Sequence, residues 1–213
     1  METEIKLSPV SAHTAGQVFG DPLLVPFLGD ARRTDMESIY YTDREGALAR
    51  AGAALRLRRE NGDGVCCLKI KAGRQGLADV RQEFEIPAED VGEGAYRLSR
   101  LPDMPFEAAE ALKNPSLDPV CRCDFTRTEA DYRSETLEFT LSYDIGEYKK
   151  GELSAPMGEL ELELRRGDPL EMDAICRALM EKYALAVCEV SKYARAMSLE
   201  APAEENTDEA AQA

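Results

Sequence analysis

The chain has 213 residues, of which 44% are hydrophobic and 31% charged, a balance that suits one soluble globular domain and excludes both wholesale disorder and a membrane-embedded fold. Its net charge of −15, from 26 basic and 41 acidic residues, argues against nucleic acid or anionic lipid as partners. No apolar run approaches the roughly 18 residues of a membrane helix, and the charged opening of Glu2, Glu4 and Lys6 lacks the basic-then-apolar pattern of an export signal, so a cytoplasmic protein is expected.

Charged and apolar residues alternate from the start: Glu2, Glu4 and Lys6 with Thr3, Ile5 and Leu7. In a strand, residues i and i+2 share a face, so this segment reads as a half-buried strand with one ionic side. Helix interrupted by Gly and Pro is expected over 8–29, a strand over 36–42 and a short helix over 45–52. The alternation returns with Arg56 and Arg58 between Leu55 and Leu57, and, after an Asn61-Gly62-Asp63-Gly64 turn, with Lys69 and Lys71 between Leu68 and Ile70. Arg81, Glu83 and Glu85 alternate with Phe84 and Ile86. A short helix over 105–114 follows, then strands over 120–128 and 136–144, the latter ending in an Asp144-Ile145-Gly146 turn. Glu159, Glu161 and Glu163 alternate with Leu160, Leu162 and Leu164. Over 169–183, after Asp168-Pro169, the spacing of Leu170, Ala174, Ile175, Ala178 and Leu179 predicts an amphipathic helix. From residue 200 onward there are five acidic residues and no Lys or Arg, so the chain divides into a folded domain over 1–198 and an acidic, disordered tail over 199–213.

Six cysteines call for a check of spacing. Cys66 and Cys67 are adjacent, Cys121 and Cys123 are two apart, and Cys176 and Cys188 lie in a helical region. None forms a C-x-x-C pair, and a single histidine, His13, cannot complete a zinc site or a Ser-His-Asp system. Reduced, buried thiols are expected.

About eight strands result, mostly joined by short turns: a mainly β, antiparallel architecture with peripheral helices. Two arrangements compete. In one, charges face water and the apolar faces meet in a sandwich core. In the other, the sheet closes into a barrel with the charges inside and helices over its apolar outside. Charged residues rarely sit inside without partners, yet here basic and acidic residues are segregated by strand, where a solubility surface would mix them. A polyanion accompanied by metal ions gives like charges a reason to share a face, the basic strands taking phosphate oxygens and the acidic strands the cations.

Several landmarks, in order, resemble the CYTH, or triphosphate tunnel metalloenzyme, superfamily. Glu2-Thr3-Glu4-Ile5-Lys6 is similar to its E-x-E-x-K signature. Tyr40-Tyr41-Thr42-Asp43, the Leu55-Arg56-Leu57-Arg58 strand, Lys71, Arg81-Gln82-Glu83-Phe84-Glu85, the late acidic strand from Gly158 to Leu164, and Ser191-Lys192-Tyr193-Ala194-Arg195 follow in the family's order. The resemblance implies an eight-stranded antiparallel closed β-barrel tunnel with a charged interior. It implies a small-molecule triphosphate or polyphosphate substrate, with Mg²⁺ or Mn²⁺. Glu2, Glu4, Glu161 and Glu163 would hold the metal. Lys6, Arg56, Arg58, Lys69, Lys71, Arg81, Arg127, Lys192 and Arg195 would bind phosphates, and Glu83, Glu85 and Arg127 would serve catalysis. Lys69 is an addition to the family pattern. Glu129 is a departure, because many relatives carry a second basic residue there, and Arg122 lies nearby.

The activity implied is metal-dependent hydrolysis of the terminal phosphoanhydride of inorganic triphosphate or a related triphosphate. A class IV-type adenylate cyclase, a thiamine triphosphatase and a non-catalytic polyphosphate or nucleotide binder are the alternatives. The oligomeric state is open between monomer and homodimer.

Overall fold

The computed structural model describes residues 1–113 and 116–200; the acidic tail lies outside them from residue 201 onward, as does residue 114 of the helix expected over 105–114. The ionic strands curl into one antiparallel barrel. Its strands are β1 (Glu2–Leu7), β2 (Arg32–Asp43), β3 (Ala53–Glu60), β4 (Asp63–Gln75), β5 (Ala78–Pro87), β6 (Leu117–Arg133), β7 (Glu138–Lys150) and β8 (Leu153–Arg166). They run β1-β5-β4-β3-β2-β6-β7-β8, and β8 closes on β1. The helices are α1 (Ala12–Phe19), α2 (Ala47–Arg50), α3 (Val91–Leu98), α4 (Phe106–Lys113), α5 (Pro169–Tyr183) and α6 (Lys192–Met197). No described helix is long and apolar enough to cross a membrane.

Most of the apolar core therefore lies outside the barrel. Ile5, Leu7, Phe139, Leu141, Leu160 and Leu162 point outward into one cluster with Val18 of α1 and Met172, Cys176 and Leu179 of α5. Leu55, Leu57, Cys66 and Leu68 meet Leu48 of α2, Leu98 of α3 and Leu112 of α4 in a second. A third cluster fills one end of the interior. Inward-facing Met36, Tyr40, Cys123, Phe125 and Tyr148 pack there against Ala196 of α6, with Tyr193 beside them, and the Tyr40 and Tyr193 ring centroids are 5.4 Å apart. The Ser191 hydroxyl caps α6 by accepting from the Ala194 amide. All six thiols are free and buried.

Several sequence expectations need correction. Asp144-Ile145-Gly146 is not a turn but the middle of β7, with Asp144 opposite Arg127 and Gly146 opposite Phe125; the reversal comes at Gly151, whose φ is +56°. Glycine at 146 serves closeness of strands: a Cβ there would sit 2.0 Å from the Asp124 carbonyl oxygen and 2.5 Å from Phe125 Cα. The face of α5 is also turned from the predicted one. It buries Met172, Asp173, Cys176 and Leu179, while Leu170 is 60% exposed, because the Asp173 carboxylate is drawn inward to accept the Leu77 amide at 3.1 Å. Finally, α3 and α6 were not expected, and Cys188 lies in the stretch between α5 and α6 instead of in a helix. Asp90 caps α3 by accepting from the Glu93 amide, and its short span, holding Gly92 and Gly94, carries little helical signal.

Candidate active site

Inside the barrel lies a cavity of about 820 Å³ lined by ten carboxylate and nine cationic side chains. The register decides who meets whom. On the acidic wall, Glu4 stands opposite Glu163 and Lys6 opposite Glu161. Across β3, β4 and β5, Arg56, Cys67 and Glu85 form one row, Lys69 faces Glu83, and Lys71 faces Arg81.

Of the cationic residues expected to bind phosphate, Lys6, Arg56, Arg58, Lys69, Lys71, Arg81, Arg127 and Lys192 all line this cavity. Arg195 does not. Its guanidinium donates to Ser8 Oγ at 2.7 Å and lies 3.7 Å from Glu159, behind the wall. Several of the others are already committed, among them Lys69 to Glu2 and Arg81 to Glu4. Arg127 donates twice to Asp144, at 2.7 Å each, and once to Glu161 at 2.7 Å. Lys192 sits among Asp144 at 2.9 Å, Glu159 at 2.8 Å and Glu161 at 2.6 Å. Arg56 differs: it is buried, yet its Nε and one Nη have no hydrogen-bond acceptor, and the Nε of Arg58 has none either. Its nearest carboxylates, Glu85 and Glu83, stand off at 3.6 and 3.8 Å. Buried donors without acceptors cost free energy unless a ligand satisfies them, and guanidinium donors call for an anion.

The four carboxylates expected to hold metal all line the cavity. Each carries a cationic neighbour: Lys69 on Glu2 at 2.7 Å, Arg81 on Glu4 at 2.6 Å, Lys192 on Glu161 at 2.6 Å and Arg165 on Glu163 at 2.7 Å. The carboxylates that converge most tightly are Asp144, Glu159 and Glu161, with oxygens within 4.8 Å of one another. A second convergent set is Cys67, Glu83 and Glu85, in which the Cys67 thiol donates to Glu83 at 3.1 Å. Of these two sets, sequence reading had singled out only Glu161, Glu83 and Glu85 for the site. For Glu159 the signal was available in its i, i+2 spacing with Glu161.

Charge balance follows the same geometry. Burial pushes the Glu2 carboxyl up to about 7, against the pull of Lys69 and with repulsion from Glu4 and Glu83. Burial, only partly offset by Arg165, also raises Glu163. At Glu83 burial is outweighed by Lys69, Cys67 and Arg56, which hold it at about 2, and at Glu4 by Lys6, Lys69 and Arg81, which hold it below the ordinary range. Burial drives the Cys67 thiol up to about 12. Like charges directly opposite on neighbouring strands, as Glu4 and Glu163 are, are destabilising. Glu2 and Glu163, whose carboxyls are raised chiefly by burial, belong with Glu4 and Glu161 to an all-oxygen donor set that fits a hard divalent cation.

Toward the end where β3 passes into β4, Glu60 and Glu85 line the cavity with Arg58 between them, 2.5 and 3.2 Å from their oxygens. Glu129 also lines it and is held by Arg32 at 2.8 Å. Arg122 faces the outside and pairs with Asp124 at 2.6 Å.

The CYTH domain model matches residues 1–197, and the chain belongs to that family. A stretch of 130 residues, 61% of the chain, is 28% identical to an inorganic triphosphatase of Haemophilus influenzae, of whose length it covers only 36%. The fold is similar to that of a Hippeastrum protein named as a candidate adenylyl cyclase and described as having a dominant triphosphatase activity (TM-score 0.60, 19% identity, 91% of this chain and 94% of that one). It is also similar to the PH1012 protein of Pyrococcus horikoshii (TM-score 0.53, 16% identity, 91% and 99% covered).

Proposed function

We propose that this cavity binds a triphosphate and hydrolyses its terminal phosphoanhydride with Mg²⁺ or Mn²⁺. The observation that carries the reading is the buried Arg56, whose Nε and one Nη lack acceptors on the wall of a carboxylate-lined chamber, beside the half-buried Arg58, whose Nε lacks one too. The names of the Haemophilus and Hippeastrum proteins support it. A triphosphate carries about four to five negative charges near neutral pH, more than either arginine alone can offset.

In this reading Arg56, Arg58, Lys71 and Lys6 hold the phosphate chain in line, and Arg127, fixed by Asp144, presents its guanidinium to the reacting end. Glu2, Glu4, Glu161 and Glu163 hold the divalent ion, with Asp144 and Glu159 behind them. When bound, that ion offsets charge on the phosphate oxygens and the leaving group. Glu83 and Glu85 accept a hydrogen bond from the attacking water, and Glu83, held near 2, is ionised at any working pH. The substrate is met in the cytoplasm as a small anion.

Phosphate release from inorganic triphosphate, ATP and thiamine triphosphate, each with Mg²⁺, Mn²⁺ or EDTA, tests this. Metal-dependent release of phosphate from inorganic triphosphate is expected, absent with EDTA and in Glu4→Ala. A cyclic nucleotide product, or tight binding with no phosphate released, would replace this reading with a cyclase or a binder.

A further inference from the structure

We propose that the Lys69 ammonium is a resident cation standing where a second divalent ion would bind, so that the cavity works with a single metal ion. The inference rests on the metal-dependent reading above. Lys69 lies on the inward face of β4 directly across from Glu83 on β5, and its stem passes β5 to reach Glu2 on β1. Its Nζ is 2.7 and 2.9 Å from the two oxygens of Glu2 and 3.1 Å from Glu83 Oε1. Three carboxylate oxygens from two strands form the kind of oxygen cradle a hard cation takes, and an ammonium has three N–H groups to give them.

The group is enclosed: the Lys69, Glu2 and Glu83 side chains are only 20, 7 and 19% exposed. A divalent ion entering that cradle would meet a fixed positive charge at contact distance in a poorly screened site, where repulsion is strong. Glu4 and Glu163, face to face, and Glu161, opposite Lys6, remain for one ion, and Glu2 is shared between that ion and Lys69. Lys69 would thus supply, as part of the chain, charge that a second metal ion would otherwise bring to the phosphates. It acts as a positioning residue for Glu2 and Glu83 and sets the metal count.

The test is the number of Mn²⁺ ions bound per chain without substrate, measured by equilibrium dialysis and by the electron paramagnetic resonance signal of free Mn²⁺. The full chain is used as wild type, Lys69→Arg and Lys69→Thr, with folding checked by circular dichroism. One ion is expected for wild type and Lys69→Arg, and two for Lys69→Thr. Two ions in wild type overturn the inference whatever the variants do, and so does a folded Lys69→Thr that still binds one. No Mn²⁺ in wild type removes the metal-dependent reading itself, and the inference with it.

Discussion

Arg56 shows how a single side chain can state a binding preference. Its guanidinium is buried with donors unmet, a condition that costs about 1–3 kcal/mol per group and is relieved only when an acceptor arrives. Arg56→Ala should therefore raise the KM for triphosphate by about 30-fold, equivalent to about 2 kcal/mol, with a much smaller change in kcat; steady-state phosphate release would show the split. The thiols make the opposite statement. Burial raises Cys66, Cys67, Cys123 and Cys176 to about 12 and Cys121 to about 11, so almost no thiolate exists at pH 8. Titration with a chromogenic disulfide at that pH should find those five unreactive in the native protein and reactive in guanidinium chloride. Arg56, Arg58 and the glutamates of β1 and β8 were legible because a two-residue period puts them on one face whatever the rest of the chain does. Arg195 was not: its hydroxyl partner Ser8 lies 187 residues away. Asp144 lacked assignment for the same reason, since its burial comes from partners on β6, β8 and α6.

Among the elements, β7 and α6 carry the clearest consequences. Gly146→Ala would drive a Cβ into the β6 backbone, and overpacking of this kind costs about 1–3 kcal/mol; the urea midpoint should fall accordingly. Lys192 fastens α6 to the acidic wall through three carboxylates. Lys192→Met would leave those charges buried with one fewer cation, a loss of about 3–5 kcal/mol by the usual cost of breaking a buried pair, also read by urea unfolding. Strands were visible in the sequence because ionic and apolar faces alternate so cleanly, but their ends were not. β6 and β7 run past the expected limits because each is paired along both edges. The helix over 169–183 was placed correctly, yet its inward side was misjudged because a carboxylate, Asp173, goes inward to cap a turn 96 residues away.

For the molecule as a whole, the buried carboxyls oppose one another in their response to acid. Glu2 has a folded value near 7 against an ordinary 4.5, so the stability it contributes is full below 4.5 and is lost as pH rises through 7. Glu83 is held near 2, so its contribution is full above 4.5 and is lost as pH falls toward 2. Metal-free protein should therefore be most resistant to urea near pH 4.5, with resistance falling both as pH rises from there toward 7 and as it drops toward 2, and Glu2→Gln should flatten the decline above 4.5 while leaving the acid limb in place. A flat profile across that range in the wild type would contradict the burial of Glu2.

Closure of the barrel by β1 and β8, which seats Glu4 beside Glu163, also fixes when the molecule can exist. A nascent chain emerging from the ribosome can add β2 through β5 one hairpin at a time, but the seam that completes the ring needs the first strand to wait for a partner some 160 residues behind it. Until that moment two unpaired sheet edges and the carboxylate row stay open. Any stalled or prematurely ended product is then an adhesive, half-rolled sheet with no chamber at all.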